Sequence, residues 1–298
     1  MNKVICLFGP TCSGKTSLSI EIAIQFGLSI ISADSMQVYK KMDIGTAKIK
    51  ENEMKGVEHH LINIRYPDEY FTTSDFFRLC NEKIAEIHTN NMPAFVVGGT
   101  GLYFKSLIYG MSDAPGKNDT IRQNIEKNYR ENPEKVYNEL KAIDPEYTKI
   151  IHLNDLRRIT RALEIYYLTG KPITHFDNQT PDYDYLILGL NPEREALYQR
   201  INARCDDMVE KGLIEETQAL IQEYGKHHYS FKAIGYSHAI QYLVNALNKE
   251  DFITLFKRDT RRFAKRQLSL FRSIKDVKWF ESPDMSRIIE EIKQFIKN

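Results

Sequence analysis

The sequence predicts an α/β fold: a P-loop parallel-sheet core flanked by helices, with an all-helical insertion domain. Three observations predict it. Val4 to Phe8 is a short apolar run followed at once by Gly9-Pro10-Thr11-Cys12-Ser13-Gly14-Lys15-Thr16, the strand, glycine-rich loop and helix start of a phosphate-binding unit. Further apolar runs of strand length alternate with helical periodicity near both ends of the chain, as in parallel sheets with helical crossovers. Between them, residues 113–185 hold helical stretches and no convincing strand.

Taken in order, Ser17 to Phe26 places Leu18, Ile22, Ile24 and Phe26 at helical spacing and stops at Gly27, a natural C-terminal terminator. Leu28 to Ile31 reads as a second strand ending near Asp34, and Ala94 to Val97 as a third, after the amphipathic segment Ser74 to His88. Beyond Asp113-Ala114-Pro115-Gly116, helices are expected around Ile121 to Tyr129, Glu134 to Ile143 and Leu156 to Leu168. The turn-rich Asp177 to Asp182 closes this insertion. Leu186 to Leu190 then reads as a core strand, a long helix follows from about Pro192, and Val277 to Phe280 is a candidate last strand. The expected division is a core of residues 1–112 and 186–298 with an insertion of residues 113–185.

With 298 residues, 42% hydrophobic and 27% charged, the chain has an ordinary globular composition and needs no metal or disulfide staple to fold. Cys6, Cys12, Cys80 and Cys205 form no CxxC pair, which points to a reducing compartment and an expected cytoplasmic location. No apolar run approaches the ~20 residues that span a bilayer, so membrane insertion is not expected. No obligate protein partner is evident, and a monomer is expected. The net charge of +1 conceals an asymmetry, because Lys257 to Lys278 carries nine Lys or Arg against Asp259 and Asp276, leaving −6 elsewhere. Such a run is either a polyanion-binding face or a solvated helix face.

The loop from Gly9 to Thr16 is the strongest motif. Its glycines let backbone N–H groups curl around phosphate oxygens at a helix N-terminus, Lys15 supplies positive charge, and the Thr16 hydroxyl can hold Mg2+. The acidic strand end that positions Mg2+ in nucleotide hydrolases is missing, because Ala94 to Val97 runs into Gly98-Gly99-Thr100-Gly101. Asn248-Lys249-Glu250-Asp251 fits a guanine-reading pattern only superficially, since it follows the helical run His238 to Leu247, and reads as an interhelical loop. Asp34 and Thr100 each follow a strand at the carboxyl edge of the sheet, where open α/β folds bind ligands. Asp34 is a candidate general base or a turn cap, and Thr100 a hydroxyl in the same crevice or a turn residue. The pairs His59-His60 and His227-His228 share no i, i+4 face and read as polar surface, not metal ligands. Arg157 and Arg161 share a helix face flanked by Arg158, suited to phosphate or stacked bases unless Asp155 or Glu164 claims them.

The motif series GPTCSGKT, ISADSMQVYKKMDIGTAK, VVGGTGLYFKSL, IHLNDLRRITRALE and FKAIGY resembles that of the tRNA dimethylallyltransferases in order and over nearly the whole chain. The resemblance implies transfer of the dimethylallyl group from dimethylallyl diphosphate to the exocyclic amine of the adenosine beside the tRNA anticodon. It implies Asp34 as base, Thr100 as holder of the amine, Lys15 and the whole loop Gly9, Pro10, Thr11, Cys12, Ser13, Gly14 and Thr16 as the diphosphate cradle, and Mg2+ on Thr16. Arg204 resembles the family's additional diphosphate-binding arginine. Contacts to tRNA are implied for Asp34, Ser35, Met36 and Gln37, for Thr100 and Arg122, for Arg157, Arg158, Ile159, Thr160 and Arg161, and for Lys232, Ala233, Ile234, Gly235, Tyr236 and Ser237. The insertion and the basic helix are expected to clasp the anticodon stem-loop. The chain departs from the family pattern at Cys12, Asn63, Leu153 and Ser237-His238, none of them a proposed catalytic group. Two other readings stand beside this one: a P-loop kinase for a nucleoside or nucleotide, and a nucleotide-gated RNA-binding module.

Overall fold

The computed structural model describes residues 2–281 and 284–297. Two compact units result, the first from Met1–Ile108 with Asp182–Asn298 and the second from Tyr109–Pro181.

The first unit is built on six parallel strands, β1 (Lys3–Phe8), β2 (Ile30–Ala33), β3 (His59–His60), β4 (Ala94–Gly98), β7 (Asp184–Leu190) and β8 (Lys278–Phe280), in the order β3-β2-β4-β1-β7-β8. Strands β5 (Met111–Ser112) and β6 (Asn178–Gln179) belong to the second unit. The chain leaves β1, passes over β4 to reach β2, returns, and much later adds β7 on the other flank. The carboxyl end of β1 is therefore a topological switch point, where such sheets bind ligands.

Alternation along β1 serves two faces. Ile5 and Leu7 join Leu18, Ile22 and Ala23 of α1 (Lys15–Phe26) and Ile288 and Ile292 of the C-terminal helix Met285–Lys297 in one buried cluster. On the other face Phe8 stacks on Phe271 at 4.3 Å and meets Phe104 edge-on at 5.1 Å. Helix α1 ends at Gly27 in the left-handed conformation, φ 66°, as its sequence predicts. The second strand lies two residues later than predicted, at Ile30–Ala33, because Leu28 still donates its N–H to Ala23 and belongs to the helix terminus. Asn248 and its neighbours are not a loop: Asn248 caps the long basic helix Lys249–Phe271 by accepting the Asp251 N–H, and Lys249 to Asp251 form the first turn. Among the described residues no helix is long and apolar enough to cross a membrane.

The second unit packs helices Asp119–Glu131, Pro133–Ile143 and Leu156–Thr169 around Ile125, Val136, Leu140, Ile159 and Leu163. It is not wholly helical, since Met111–Ser112 and Asn178–Gln179 pair antiparallel. Two-residue strands carry too few alternating positions to be read from sequence. Asn118, Asn132, Asp144 and Asp155 each cap a helix start in this unit. Glu164, fully buried, receives the Arg122 guanidinium, Arg161 and the Asn118 N–H. Burial pushes its carboxyl up, but these partners outweigh burial and hold it below the usual range.

Candidate active site

At the carboxyl edge of the sheet in the first unit lies a cavity of about 720 Å³. The P-loop forms its floor. Gly14 sits at φ 89° and starts α1 with no side-chain cap, which leaves the first-turn N–H groups open to an anion. Cys12 also takes a left-handed φ of 60°, unusual for a residue with a Cβ and consistent with a tightly curled loop. The Lys15 ammonium donates to the Gly9 and Pro10 carbonyls at 2.9 and 2.7 Å. Burial pushes Lys15 down to about 8, with Arg204 adding to the effect and Asp34 opposing it. Arg204 lies over the loop, its Nη1 3.6 Å from Cys12 Sγ, and Arg200 and Arg266 also line the cavity. Thr16 is exposed on the cavity side of the helix start.

Beside this cationic floor stand Asp34 and Thr100, brought together by the adjacency of β2 and β4. Gly98 makes that adjacency possible, since a Cβ there would lie 2.1 Å from the Ala33 carbonyl oxygen. The Thr100 N–H donates to the Ala33 carbonyl, and Thr100 Oγ1 accepts the Ser35 N–H at 2.9 Å. That bond leaves the Thr100 hydroxyl a second lone pair and its own proton for a ligand. Asp34 Oδ1 accepts the Met36 and Gln37 N–H groups at 2.9 and 3.2 Å. The aspartate is thus a turn cap, but through one oxygen only. Its Oδ2 makes no hydrogen bond to described residues.

The residues tied to RNA by resemblance divide sharply in placement. Ser35, Met36, Gln37, Lys232, Ala233, Ile234 and Gly235 line the cavity. Tyr236 is buried and donates its hydroxyl to Glu216 at 2.5 Å, and Ser237 Oγ bonds back to the Ile234 carbonyl. In the second unit Arg157 and Arg158 are exposed, whereas the side chains of Ile159 and Thr160 are buried. Arg122 and Arg161 are committed to Glu164. Ile159, Thr160 and Tyr236 thus contribute packing through their side chains, while Arg122 and Arg161 pair with Glu164 and keep about a third of their side-chain surface exposed.

Two further residues complete the site and carry no motif. Gln267, buried on the basic helix, accepts the Thr11 N–H at 2.9 Å and donates to the Gly99 carbonyl at 2.8 Å, joining the P-loop to the turn that carries Thr100. The signal was faint: with Ala264 and Phe271 it continues an apolar stripe, where a polar residue needs a partner. Glu216 on helix Leu213–Tyr224 accepts the N–H groups of Asp43, Ile44 and Gly45 and the Tyr236 hydroxyl. It shapes the loop whose Gly45, Thr46 and Ala47 line the cavity. Nothing local in the sequence links Glu216 to that loop.

His59–His60 forms the edge strand β3, and His59 bonds to the Val57 carbonyl while reaching the cavity wall. Among the described residues no group of three or more His, Cys, Asp or Glu is placed to hold a metal ion.

Residues 37–274 match the family model described as IPP transferase. The chain belongs to this family. A tRNA dimethylallyltransferase of Thermoanaerobacter sp. (strain X514) is 40% identical, over 99% of this chain and 96% of its own. One from Bacillus pumilus is 44% identical, over 93% of this chain and 89% of its own. Among solved structures, the tRNA isopentenylpyrophosphate transferase of Bacillus halodurans is similar at a TM-score of 0.75 and 38% identity, covering 100% of this chain and 97% of that one. A eukaryotic dimethylallyltransferase acting on tRNA matches at 0.83 and 33%, covering 99% of this chain and 77% of the other. The chain is thus an IPP transferase family member along essentially its full length, and its P-loop is to be read in that light.

Proposed function

We propose that this enzyme transfers the dimethylallyl group from dimethylallyl diphosphate to the exocyclic amine of the adenosine 3′-adjacent to the anticodon in tRNA. The observation that carries the reading is one cavity with a P-loop floor, an Asp34–Thr100 wall and no carboxylate at the end of β4. The P-loop N–H groups, Lys15 and Arg204 hold the diphosphate and meet its growing negative charge as it leaves. The amine nitrogen forms its bond to the allylic carbon as the carbon–oxygen bond to diphosphate breaks. Positive charge then develops on nitrogen, and its proton passes to Asp34 Oδ2. Thr100 Oγ1, already accepting one N–H, uses its remaining lone pair to orient the amine.

A divalent ion fits this site only through the ligand: among the described residues the site offers the exposed Thr16 hydroxyl without a carboxylate cluster. That suits Mg2+ held mostly by diphosphate oxygens and water, with Thr16 as the single protein donor. Such an ion would help neutralise the departing diphosphate. Arg157 and Arg158, exposed in the helical unit, supply phosphate contacts to the RNA. The buried free thiols Cys6, Cys80 and Cys205 accord with a cytoplasmic setting.

Purified protein with Mg2+, tRNA and dimethylallyl diphosphate is expected to release one diphosphate per prenyl group transferred, without ATP. Asp34→Asn keeps an oxygen for the Met36 and Gln37 N–H groups but loses the base, so tRNA binding should persist while single-turnover transfer falls roughly 100-fold. ADP formed in step with product would restore the kinase reading. Near-normal transfer by Asp34→Asn would remove the aspartate from the mechanism.

A further inference from the structure

Lys232, which lines the cavity, also belongs to a group of tyrosines and lysines outside it that the reaction itself does not use. Parallel pairing of Tyr39 with Arg65, reinforced by the Lys40 N–H donating to the Arg65 carbonyl at 2.7 Å, holds Lys40 beside Tyr66. The Lys40 ammonium sits 4.3 Å from the Tyr66 ring centre. The Tyr224 ring is 6.4 Å from that of Tyr66, with Lys41 5.7 Å from it. Ser230 Oγ donates to the Pro67 carbonyl at 2.7 Å and draws the Tyr229 turn against the same segment. Lys232 lies 5.5 Å from the Tyr229 ring and also lines the cavity. Tyr66 and Tyr229 remain 44% and 40% exposed.

Single surface cation–aromatic pairs are common and need no function. Here three lie on segments that touch one another, and one of them reaches the cavity through Lys232. The charge is nearly balanced, since Glu223 pairs with Lys41 at 2.5 Å and Asp68 and Glu69 lie in the same segment as Tyr66. A surface that offers ring faces with little net charge suits stacked bases better than a run of phosphates. Base faces are available in single-stranded loops and hidden in duplexes.

We propose that this surface, centred on Tyr66 and Tyr229, binds the unpaired nucleotides flanking the target adenosine and thereby holds the strand while that base enters the cavity. The inference rests on the functional reading given above. Lys40 and Lys232 lie over one face of each ring and keep the rings oriented, leaving the other face for a base.

The test compares Tyr66→Ala/Tyr229→Ala with Tyr66→Phe/Tyr229→Phe, using fluorescence anisotropy with an anticodon stem-loop RNA at two salt concentrations. The alanine pair should bind at least about tenfold more weakly and the phenylalanine pair within about twofold of the parent, because stacking needs the ring and not the hydroxyl. The salt slope should be unchanged in both, since no phosphate contact is removed. Unchanged affinity in the alanine pair, or an equal loss in the phenylalanine pair, overturns the proposal. Single alanine variants, each expected to be about threefold weaker or more, decide the matter if the double variant does not fold. A parent protein that prenylates the RNA while the tyrosines prove indifferent refutes this inference alone. A parent protein that does not prenylate refutes the functional reading instead.

Discussion

Lys15 carries a charge in a place that disfavours it, and diphosphate binding should therefore depend on pH in a calculable way. Burial, helped by Arg204, lowers it from 10.5 to about 8 in the ligand-free protein. Bound diphosphate replaces carbonyl partners by anionic oxygens and keeps the ammonium protonated. Affinity then follows the protonated fraction of the free protein, which falls from about nine-tenths at about pH 7 to about one-tenth at about pH 9, a loss of about tenfold. The donor's own last ionisation, near pH 6 for phosphate esters, does not interfere. For stability the sign is opposite. Between about 8 and 10.5 the unfolded chain holds the proton that the folded chain has released, so ligand-free stability rises with pH there, by at most about 3 kcal/mol. Calorimetric titration with dimethylallyl diphosphate across this range measures both the dissociation constant and the proton taken up. Lys15→Arg, which stays charged, should flatten the profile, and Lys15→Ala should bind weakly and without the slope. A flat parent profile, or the parent's slope surviving in Lys15→Ala, refutes the reasoning.

Glu164→Ala should destabilise the helical unit by about 2–3 kcal/mol in denaturant melts, below the cost of breaking a fully buried pair because Arg122 and Arg161 keep about a third of their surface in water. Donor binding, which belongs to the other unit, should not change. Gln267→Ala frees the Thr11 N–H and Gly99 carbonyl together and should raise KM for dimethylallyl diphosphate about tenfold with a smaller effect on tRNA affinity. Steady-state kinetics with each substrate varied separately check this, and Gln267→Glu should be worse, because a carboxylate would face the Gly99 carbonyl.

The P-loop was legible because it is contiguous: strand, loop and helix start are one segment, and each residue type in Gly9 to Thr16 answers to phosphate geometry. Asp34 and Thr100 were legible as strand ends, and the pairing of β2 with β4 makes them neighbours. What escaped depends on long-range partners. Gln267 lies 256 residues from Thr11 and Glu216 about 170 from the loop it fixes, and neither has a local pattern to mark it. Nor does the basic run show by itself that Asp259 pairs with Arg258, Arg262 and His238, or Asp206 with Lys257. Arg122 and Arg161 are legible as basic residues, but only the fold reveals that Glu164 holds both.

Glu216 has a consequence for how the enzyme comes into being. The backbone of Asp43 to Gly45 finds its acceptor only in a carboxylate synthesised 171 to 173 residues later. While the chain is still emerging from the ribosome, its P-loop segment is already complete, but the opposite wall of the cavity has no anchor. The loop from Asp43 to Gly45 is therefore expected to gain its acceptor only once translation has passed Glu216, and a prematurely terminated chain ending before it would carry an intact phosphate-binding sequence without the carboxylate that fixes this part of the cavity wall.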